Sequence, residues 1–479
     1  MTADAPRPFP ELPETIESIH IIGICGTAMG SLAAMLVDRG FEVRGSDAMA
    51  YPPMSTWLES RGIDIMVGYA AENLNWNPDL VVVGNVSRAS YADAVEMRRR
   101  GLPHLSLPEA LAHFFLRGTR PLVVTGTHGK TTTSSMLAWI TAFAERDPSF
   151  MIGGITGNFG SNFRLGEGDI FVLEGDEYDT AYFDKVPKFW HYSPFRATIN
   201  NIEFDHADIY ANVEEIEAVF TRFAEMIPAE GSLWVNGDDP RAMKVSAGCK
   251  ARRRTFGLGE QNELRAEDIE YGDTTSAEVI LSGQSLGRFT INTPGEFNVR
   301  NMLGALGIAL DEGISADTVR EAMATFETVK KRQELVGEAA GVRVYDDFAH
   351  HPTAVRATVE AMRRRYPKQR MWAIFEAKSN TSRRKVFQSA YPDAFAQADI
   401  VLLSRPFAKK DGLLPEERLD IEQLAADIQS LGPETHLIPE VDAIVDFVRE
   451  NAKPGDIILG LAGSSFGGLH QKVLDALQD

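Results

Sequence analysis

The sequence predicts an α/β protein of three domains, each built on a mainly parallel sheet. Strand-type apolar runs alternate with helical patterns through most of the chain, the pattern of stacked βαβ units. Glycine turns join a strand directly to a helix at two places, 23–30 and 126–130. The length of 479 residues suffices for roughly three cores of ~150 residues each.

Taken in order, SIHIIGI (18–24) reads as a strand and MGSLAAMLVDRG (29–40) as a helix stopped by Gly40. FEVRGSD, IDIMVGY and LVVVGN are further short strands, and a boundary in the turn Arg117–Arg120 closes a Rossmann-like domain over 1–118. PLVVTG (121–126) is a buried strand running into the helix GKTTTSSMLAWITAF. Strands at DIFVLEGD and FRATINNI and a helix near 213–227 follow. Between 251 and 292 short alternating runs such as SAEVILSG and LGRFTIN predict a small antiparallel insertion. This P-loop ATPase-type central domain, 119–330, ends near Thr328–Arg332. A second βαβ series, VRVYDDF, MWAIFEA, DIVLLSRP, THLIP and DIILGLAG with helices AVRATVEAMRRRY and VDAIVDFVREN, predicts a Rossmann-like C-terminal domain over 331–479. There is no fixed-period repeat and no low-complexity tract.

Composition narrows the function classes. A formal net charge of −20 argues against nucleic acid or a membrane as a general partner. It leaves room for an anionic substrate at a locally positive site. Cys25 and Cys249 are too few for a disulfide framework, which fits a reducing compartment. The start MTADAPRPFPELPE lacks the basic and apolar regions of a secretory signal, and no apolar run reaches ~18 residues. The expected location is the cytoplasm.

VVTGTHGKTTT (123–133) is the strongest local signal. A strand ends, glycines free the backbone to curl, and Lys130 and Thr131 open a helix whose first amides point at a phosphate. The loop Gly126, Thr127, His128, Gly129, with Thr132 behind it, would cradle ATP. Lys130 would neutralise the transferring phosphate and the Thr131 hydroxyl would bind Mg²⁺. Val124 stands where the general P-loop pattern has a glycine. The bland alternative is an ordinary glycine turn before a helix.

Two acidic clusters at strand ends could supply further oxygen ligands: Glu174, Asp176, Glu177 and Asp179 in one, Asp205, His206 and Asp208 in the other. Each alone reads more readily as a solvated acidic loop, and it is the two together, at strand ends in the domain of the phosphate loop, that point to function. At the N-terminus, GICGTAMG (23–30) places Gly23, Gly26 and Gly30 in the first strand–helix turn, with Asp47 ending the next strand. Cys25 occupies the second glycine position of the dinucleotide fingerprint, which counts against NAD. A UDP pyrophosphate at the same helix start fits better, and a turn without ligand is the rival.

GTHGKTTT, EGDEYD, NNIEFDHAD, PGEFNVRN (294–301), DDFAHHP (346–352) and GSSFGGLH (463–470) occur in the order seen in Mur ligases, and the chain resembles that family over essentially its whole length. DDFAHHP and NNIEFDHAD are most similar to the branch that uses UDP-N-acetylmuramate as carboxylate donor. Other branches carry a lysine downstream of the Asp-His pair, where this chain reads EAVFTRF. GICGTAMG, VVGNVSRAS and FEAKSNTSRRKVF resemble the members that attach a recycled murein tripeptide, L-Ala-γ-D-Glu-meso-diaminopimelate, rather than those that add L-alanine. Ala377-Lys378 depart from the Pro-Arg expected before Ser-Asn-Thr, which keeps the charge but not the planar fork.

The resemblance implies an ATP- and Mg²⁺-dependent amide ligase working through an acyl phosphate. Lys130, Glu174 and His206 would be catalytic, with Thr131, Glu174 and His206 as metal ligands. Asn298, Asn301, Arg332, Asp346 and His350 would contact ATP, Asn301 at the adenine and Asp346 at the ribose. His351 reads either with them or as part of a capped helix start. Gly23, Cys25, Gly26, Thr27, Ala28, Met29, Asp47, Asn85 and Ser87 would hold the UDP-sugar. Lys378, Ser379, Asn380, Thr381, Arg383 and Arg384 would meet the peptide, although a solvated basic helix face also explains the two arginines. The expected oligomeric state is a monomer or weak homodimer. A nicotinamide oxidoreductase would leave GTHGKTTT unexplained, and a nucleotide switch would not need a sugar nucleotide.

Overall fold

The computed structural model describes residues 5–406 and 412–478. The first four residues of the polar start and residues 407–411 of the C-terminal domain lie outside them. Three large sheets account for the architecture. The first has five strands, all parallel, with Ser18–Ile22 at its centre. Glu42–Asp47 and then Asp64–Val67 lie on one side, and Leu80–Val83 and then His104–Ser106 on the other. The strand order reverses beside the first strand, so a crevice opens at the carboxyl ends of Ser18–Ile22, Glu42–Asp47 and Leu80–Val83. Gly40 has φ 94 just beyond the helix Thr27–Asp38, a left-handed stop of the kind glycine adopts without strain.

The central sheet has ten strands. Its parallel middle is Arg252–Gly257, Ser232–Asn236, Arg196–Ile199, Arg120–Thr125, Ile170–Glu174 and Ser149–Met151. The innermost of these strands are apolar on both faces because helices cover both, and Leu122, Val123 and Val124 are fully buried in succession. The antiparallel insertion is present as Leu264–Tyr271, Thr275–Leu281 and Gln284–Ile291. It continues the central sheet, because Leu264–Tyr271 pairs in parallel with Arg252–Gly257. The third sheet has six strands, with only Glu334–Ala339 antiparallel at one edge. Among the described residues no helix is long and apolar enough to cross a membrane.

Candidate active site

The phosphate loop leaves the strand Arg120–Thr125 and enters the helix Lys130–Phe143. Gly126 has φ 130, and a Cβ there would stand 3.0 Å from the Asn201 amide nitrogen. Gly129, at φ 81, caps the helix, and a Cβ on it would collide with the Asn301 carboxamide. Both positions therefore need glycine. The neighbouring loop fastens the turn. Asn201 Oδ1 accepts from the His128 amide at 2.7 Å, and the Thr127 amide donates to the Asn201 carbonyl at 2.9 Å. Asn200 Nδ2 donates to Thr133 Oγ1 at 3.0 Å.

Lys130 is buried, and its ammonium reaches the Gly126 carbonyl at 2.7 Å, the Thr127 carbonyl at 3.2 Å and Glu177 Oε2 at 3.0 Å. Burial opposes its charge, but Glu177, Asp176 and Glu174 outweigh burial and raise the lysine above its ordinary range. Burial likewise opposes ionisation of Glu177, yet Lys130 and His206 pull its carboxyl down to about 2. His206 Nε2 stands 3.2 Å from Glu177 Oε1, while Tyr178 covers the imidazole at 4.0 Å between ring centres. The Tyr210 hydroxyl donates to the Glu177 carbonyl at 2.6 Å. Cation, carboxylate and imidazole thus form one buried, hydrogen-bonded chain directly beneath the loop.

Thr131 Oγ1 donates to Glu174 Oε1 at 2.9 Å, and the Gly153 amide donates to Glu174 Oε2 at 2.7 Å. Burial and then Asp176 push the Glu174 carboxyl up, a penalty on its charged form that an added cation would offset. A hydroxyl and a carboxylate adjoining a phosphate loop are hard oxygen donors of the kind Mg²⁺ takes, with His206 two links away through Lys130 and Glu177. The residues present fit that metal.

The C-terminal domain meets this surface through its second strand, Val342–Asp347, and the helix Pro352–Arg365. Arg332 Nη2 lies 3.5 Å from Thr131 Oγ1, with its guanidinium 4.9 Å from the Phe348 ring. His351 caps the helix: the Thr353 amide donates to its Nδ1 at 3.2 Å, so Nε2 carries the proton and donates to the Phe204 carbonyl at 3.2 Å. The capped-start reading of His351 thus holds locally, while its ring also crosses to the central domain. His128 Nε2 donates to Glu203 Oε2 at 3.0 Å, and the His128 and His351 rings stand 4.7 Å apart. His350 Nδ1 bonds the Phe348 carbonyl at 2.9 Å beside Gly463. Asp346 is buried, with Oδ1 lacking a hydrogen-bond partner and 3.5 Å from His470 Nε2; burial lifts its carboxyl to about 6.

Asn298 and Asn301 are buried in the helix Glu296–Asp311, tied to each other at 3.2 Å, with Asn298 also bonded to the Pro294 carbonyl at 2.8 Å. They support the loop from below. At the N-terminal crevice Gly23 lies against Ser87, and Cys25 against Asp47. The Cys25 amide donates to Asp47 Oδ2 at 2.9 Å and the Gly23 amide to the Ser46 carbonyl at 2.7 Å. Gly26 and Thr27 are exposed at a helix start without acidic residues, Ala28 is half-buried, and the Met29 side chain packs inward against Gly84. Ser87 is buried against the Ile22 carbonyl. Burial, Asp47 and Glu59 push the Cys25 thiol up to about 11, which leaves it an unreactive thiol.

The segment after Glu376 corrects one reading. It is a run of turns ending in the 3-10 helix Lys385–Phe387, not a basic helix face. Arg383 is 2% exposed and donates to the Lys378 and Ser379 carbonyls at 3.2 Å each and to Asn380 Oδ1 at 3.1 Å. Its guanidinium is turned inward as a brace because a loop of this length has few backbone bonds of its own. Lys378 approaches Glu376 at 3.9 Å, Ser379 Oγ bonds Ser382 at 2.8 Å and Thr381 is buried. Asn380 Nδ2 donates across the domains to Asp208 Oδ2 at 2.7 Å. The Arg384 Nε is buried without a hydrogen-bond partner. Sequence reasoning passed over Asn201, Glu203 and Tyr210 as site residues, and it named Glu177 only as one acid among several. Asn201 and Glu203 lie within NNIEFDHAD, but nothing in that string distinguishes a loop brace from a ligand.

Three sequence profiles match in chain order: Mur ligase family, catalytic domain, over residues 18–119; Mur ligase middle domain over 124–309; and Mur ligase, glutamate ligase domain, over 331–464. The UDP-N-acetylmuramate–L-alanyl-γ-D-glutamyl-meso-2,6-diaminoheptandioate ligase of Escherichia coli is 39% identical over 461 residues, 96% of this chain and 98% of that protein. The UDP-N-acetylmuramate–L-alanine ligase of Salinibacter ruber is 33% identical, covering 97% of this chain and 96% of its own. The crystal structure of a murein peptide ligase from Psychrobacter arcticus superposes with a TM-score of 0.72 at 34% identity, covering 97% of this chain and 99% of that one. With three profiles in order, a relative at 39% identity along almost its whole length and a phosphate loop locked to two acidic strand ends, the chain belongs to the Mur ligase family of ATP-dependent ligases.

Proposed function

We propose that the protein joins the lactyl carboxylate of UDP-N-acetylmuramate to the amino group of L-Ala-γ-D-Glu-meso-diaminopimelate, in the cytoplasm, in recycling of peptidoglycan. The observation that supports this most is the 39% identity, over nearly both whole chains, to the Escherichia coli ligase named for that reaction. The N-terminal domain, 1–118, holds the sugar nucleotide at the Gly26–Thr27 helix start; the central domain, 119–330, holds ATP; the C-terminal domain, 331–479, brings the peptide.

The carboxylate attacks the γ-phosphorus of ATP, giving an acyl phosphate and ADP. The peptide amine then attacks the acyl carbon, and the tetrahedral intermediate collapses with loss of phosphate. Two anions must meet in the first step, so the protein's task is positioning and neutralisation. All three Lys130 protons are engaged by Gly126, Thr127 and Glu177. An entering phosphate displaces one of these acceptors, and Lys130 remains tethered in place by the others. Arg332 adds a second cation at the Thr131 end. Mg²⁺, held by Thr131 and Glu174 with a second ion at His206, would supply charge neutralisation between phosphate and carboxylate. Asp346 takes the ribose, and Lys378 and Arg384 meet the peptide carboxylates from the loop that Arg383 braces. Closure of the C-terminal domain through His351 and Asn380 shields the acyl phosphate from water.

The test is phosphate release with ATP, Mg²⁺ and UDP-N-acetylmuramate, adding the tripeptide or free L-alanine. Turnover with the tripeptide alone is the expected result. Turnover with L-alanine alone would make this the L-alanine-adding enzyme, and activity with neither would remove UDP-N-acetylmuramate as donor.

A further inference from the structure

Away from the nucleotide, a second group of ionisable side chains lies where the N-terminal domain meets the central one. We propose that Glu109, Asp184 and His191 form a binding site for a divalent cation of the Zn²⁺ class that staples the two domains together. Their ligand atoms, one from each residue, all lie within 4.8 Å of one another. Among the described residues this is one of two such groups; the other, His128, Glu203 and His351, has every member hydrogen-bonded.

Burial and orphaned atoms distinguish this cluster. Glu109 is 1% and Asp184 3% exposed, and the His191 side chain 8%. His191 Nε2 and Asp184 Oδ2 approach to 2.9 Å, yet neither has a hydrogen-bond partner. The two atoms are in ion-pair range while the ring nitrogen fails to aim at the carboxylate oxygen. Two ligand atoms that face a common third point meet that description. A buried polar atom without a partner calls for an unplaced ion or water. Glu109 completes the set: Oε2 accepts from the Ser106 amide, the Ser106 hydroxyl and Arg7 Nη2, whereas Oε1 accepts only from Arg7 Nε at 2.8 Å and keeps a lone pair.

The donor set selects the metal. One imidazole and two carboxylates make a three-ligand, tetrahedral N/O site with one position for water, which suits Zn²⁺. Mg²⁺ and Ca²⁺ ask for six or more oxygens. Ligands at ~2.0–2.1 Å from such an ion sit about 3.3 Å apart, so a slight opening of the His191–Asp184 pair admits it. The consequence is mechanical. Asp184 opens the second strand of the hairpin Asp179–Ala181 and Asp184–Pro187, and that hairpin follows Glu174, Asp176 and Glu177 directly. Its tip already rests on the N-terminal domain, with Arg7 4.2 Å over Phe183 and Arg98 donating to the Tyr182 hydroxyl at 2.7 Å. A cation here would fix the sugar-nucleotide domain against the segment carrying the nucleotide carboxylates.

The full chain, stripped with chelator and kept in saturating Mg²⁺, is titrated with Zn²⁺, and bound metal is measured by atomic emission after gel filtration. The wild-type chain should retain one more equivalent than the Asp184→Asn, His191→Gln double variant. Its unfolding midpoint should rise with Zn²⁺ while that of the variant does not. Equal metal content in the two proteins, or an unfolding midpoint indifferent to Zn²⁺, overturns the site and leaves a plain His191–Asp184 ion pair. Should the double variant not fold, Co²⁺ is added to a His351→Gln chain, which removes the other imidazole–carboxylate group from consideration. The intense visible absorption of four-coordinate Co²⁺ supports the site, and its absence overturns it.

Discussion

The phosphate loop and the loop after Glu376, the proposed peptide loop, are held in opposite ways. The first is clamped by neighbouring elements: Asn200, Asn201 and Asn301 press on it from below, and Lys130, Glu177 and His206 form one buried chain beneath it. The second is braced from within, through Arg383 and Ser379, and Asn380 donates across the domains. Phosphoryl transfer tolerates little displacement, whereas an acceptor pocket has only to be complementary once the peptide is in place. On the proposed reading the reaction is therefore built into the rigid half, and acceptor choice into the adaptable one.

The sharpest way to break this comparison is at Lys130. Lys130→Met should lower turnover by about 10³-fold, the scale lost when a preorganised transition-state donor is removed, with little change in sugar-nucleotide affinity. Single-turnover phosphate release checks it. A loss under tenfold would mean that Arg332 and the metal neutralise the phosphate alone. Glu174→Gln comes next. It should cost on the order of 10²-fold at fixed Mg²⁺ and recover in part as Mg²⁺ is raised, since the neutral amide leaves the Thr131 position weaker rather than empty. An unchanged Mg²⁺ dependence would separate Glu174 from the metal.

Asp346 gives a milder, pH-dependent effect. Burial lifts its carboxyl to about 6, so the ionised form, proposed to accept from ribose hydroxyls, is lost as pH falls through that value. KM for ATP should rise several-fold from pH 7.5 to pH 5.5, a span of about two units over which one group with that pKa goes from mainly charged to mainly neutral. Asp346→Asn should have a high, pH-independent KM. A wild-type KM flat over the same range would take Asp346 away from the ribose.

The two halves also differed in how far they could be read in advance. Glycines at 126 and 129, followed by Lys130 and Thr131, announce a backbone bent toward an anion, because few other residue patterns are compatible with positive φ at a helix start. The order of strands and helices was equally legible, since buried parallel strands are continuous apolar runs. The inward turn of Arg383 was not, because whether an arginine faces solvent or braces a loop depends on carbonyls that the fold supplies, here those of Lys378 and Ser379. Glu177 was hidden for the same reason. Among the four acids in LEGDEYD, only the folded chain shows which one meets Lys130 and His206 together.

The smallest expected effect lies at the hydrogen bond from Asn380 to Asp208. Asn380 Nδ2 donates to Asp208 Oδ2 at 2.7 Å, and both side chains are exposed enough that water competes for them. Asn380→Ala or Asp208→Ala should therefore change KM for the tripeptide only a few-fold, the scale of ~1 kcal/mol for one solvent-accessible hydrogen bond, and leave KM for ATP unaltered. If the bond instead latches the closed state, both Michaelis constants rise together and the double variant is no worse than either single one. A shared loss of that kind would mean the adaptable half takes part in assembling the phosphate site, and the division between rigid reaction and pliable acceptor would have to be drawn through the peptide loop itself.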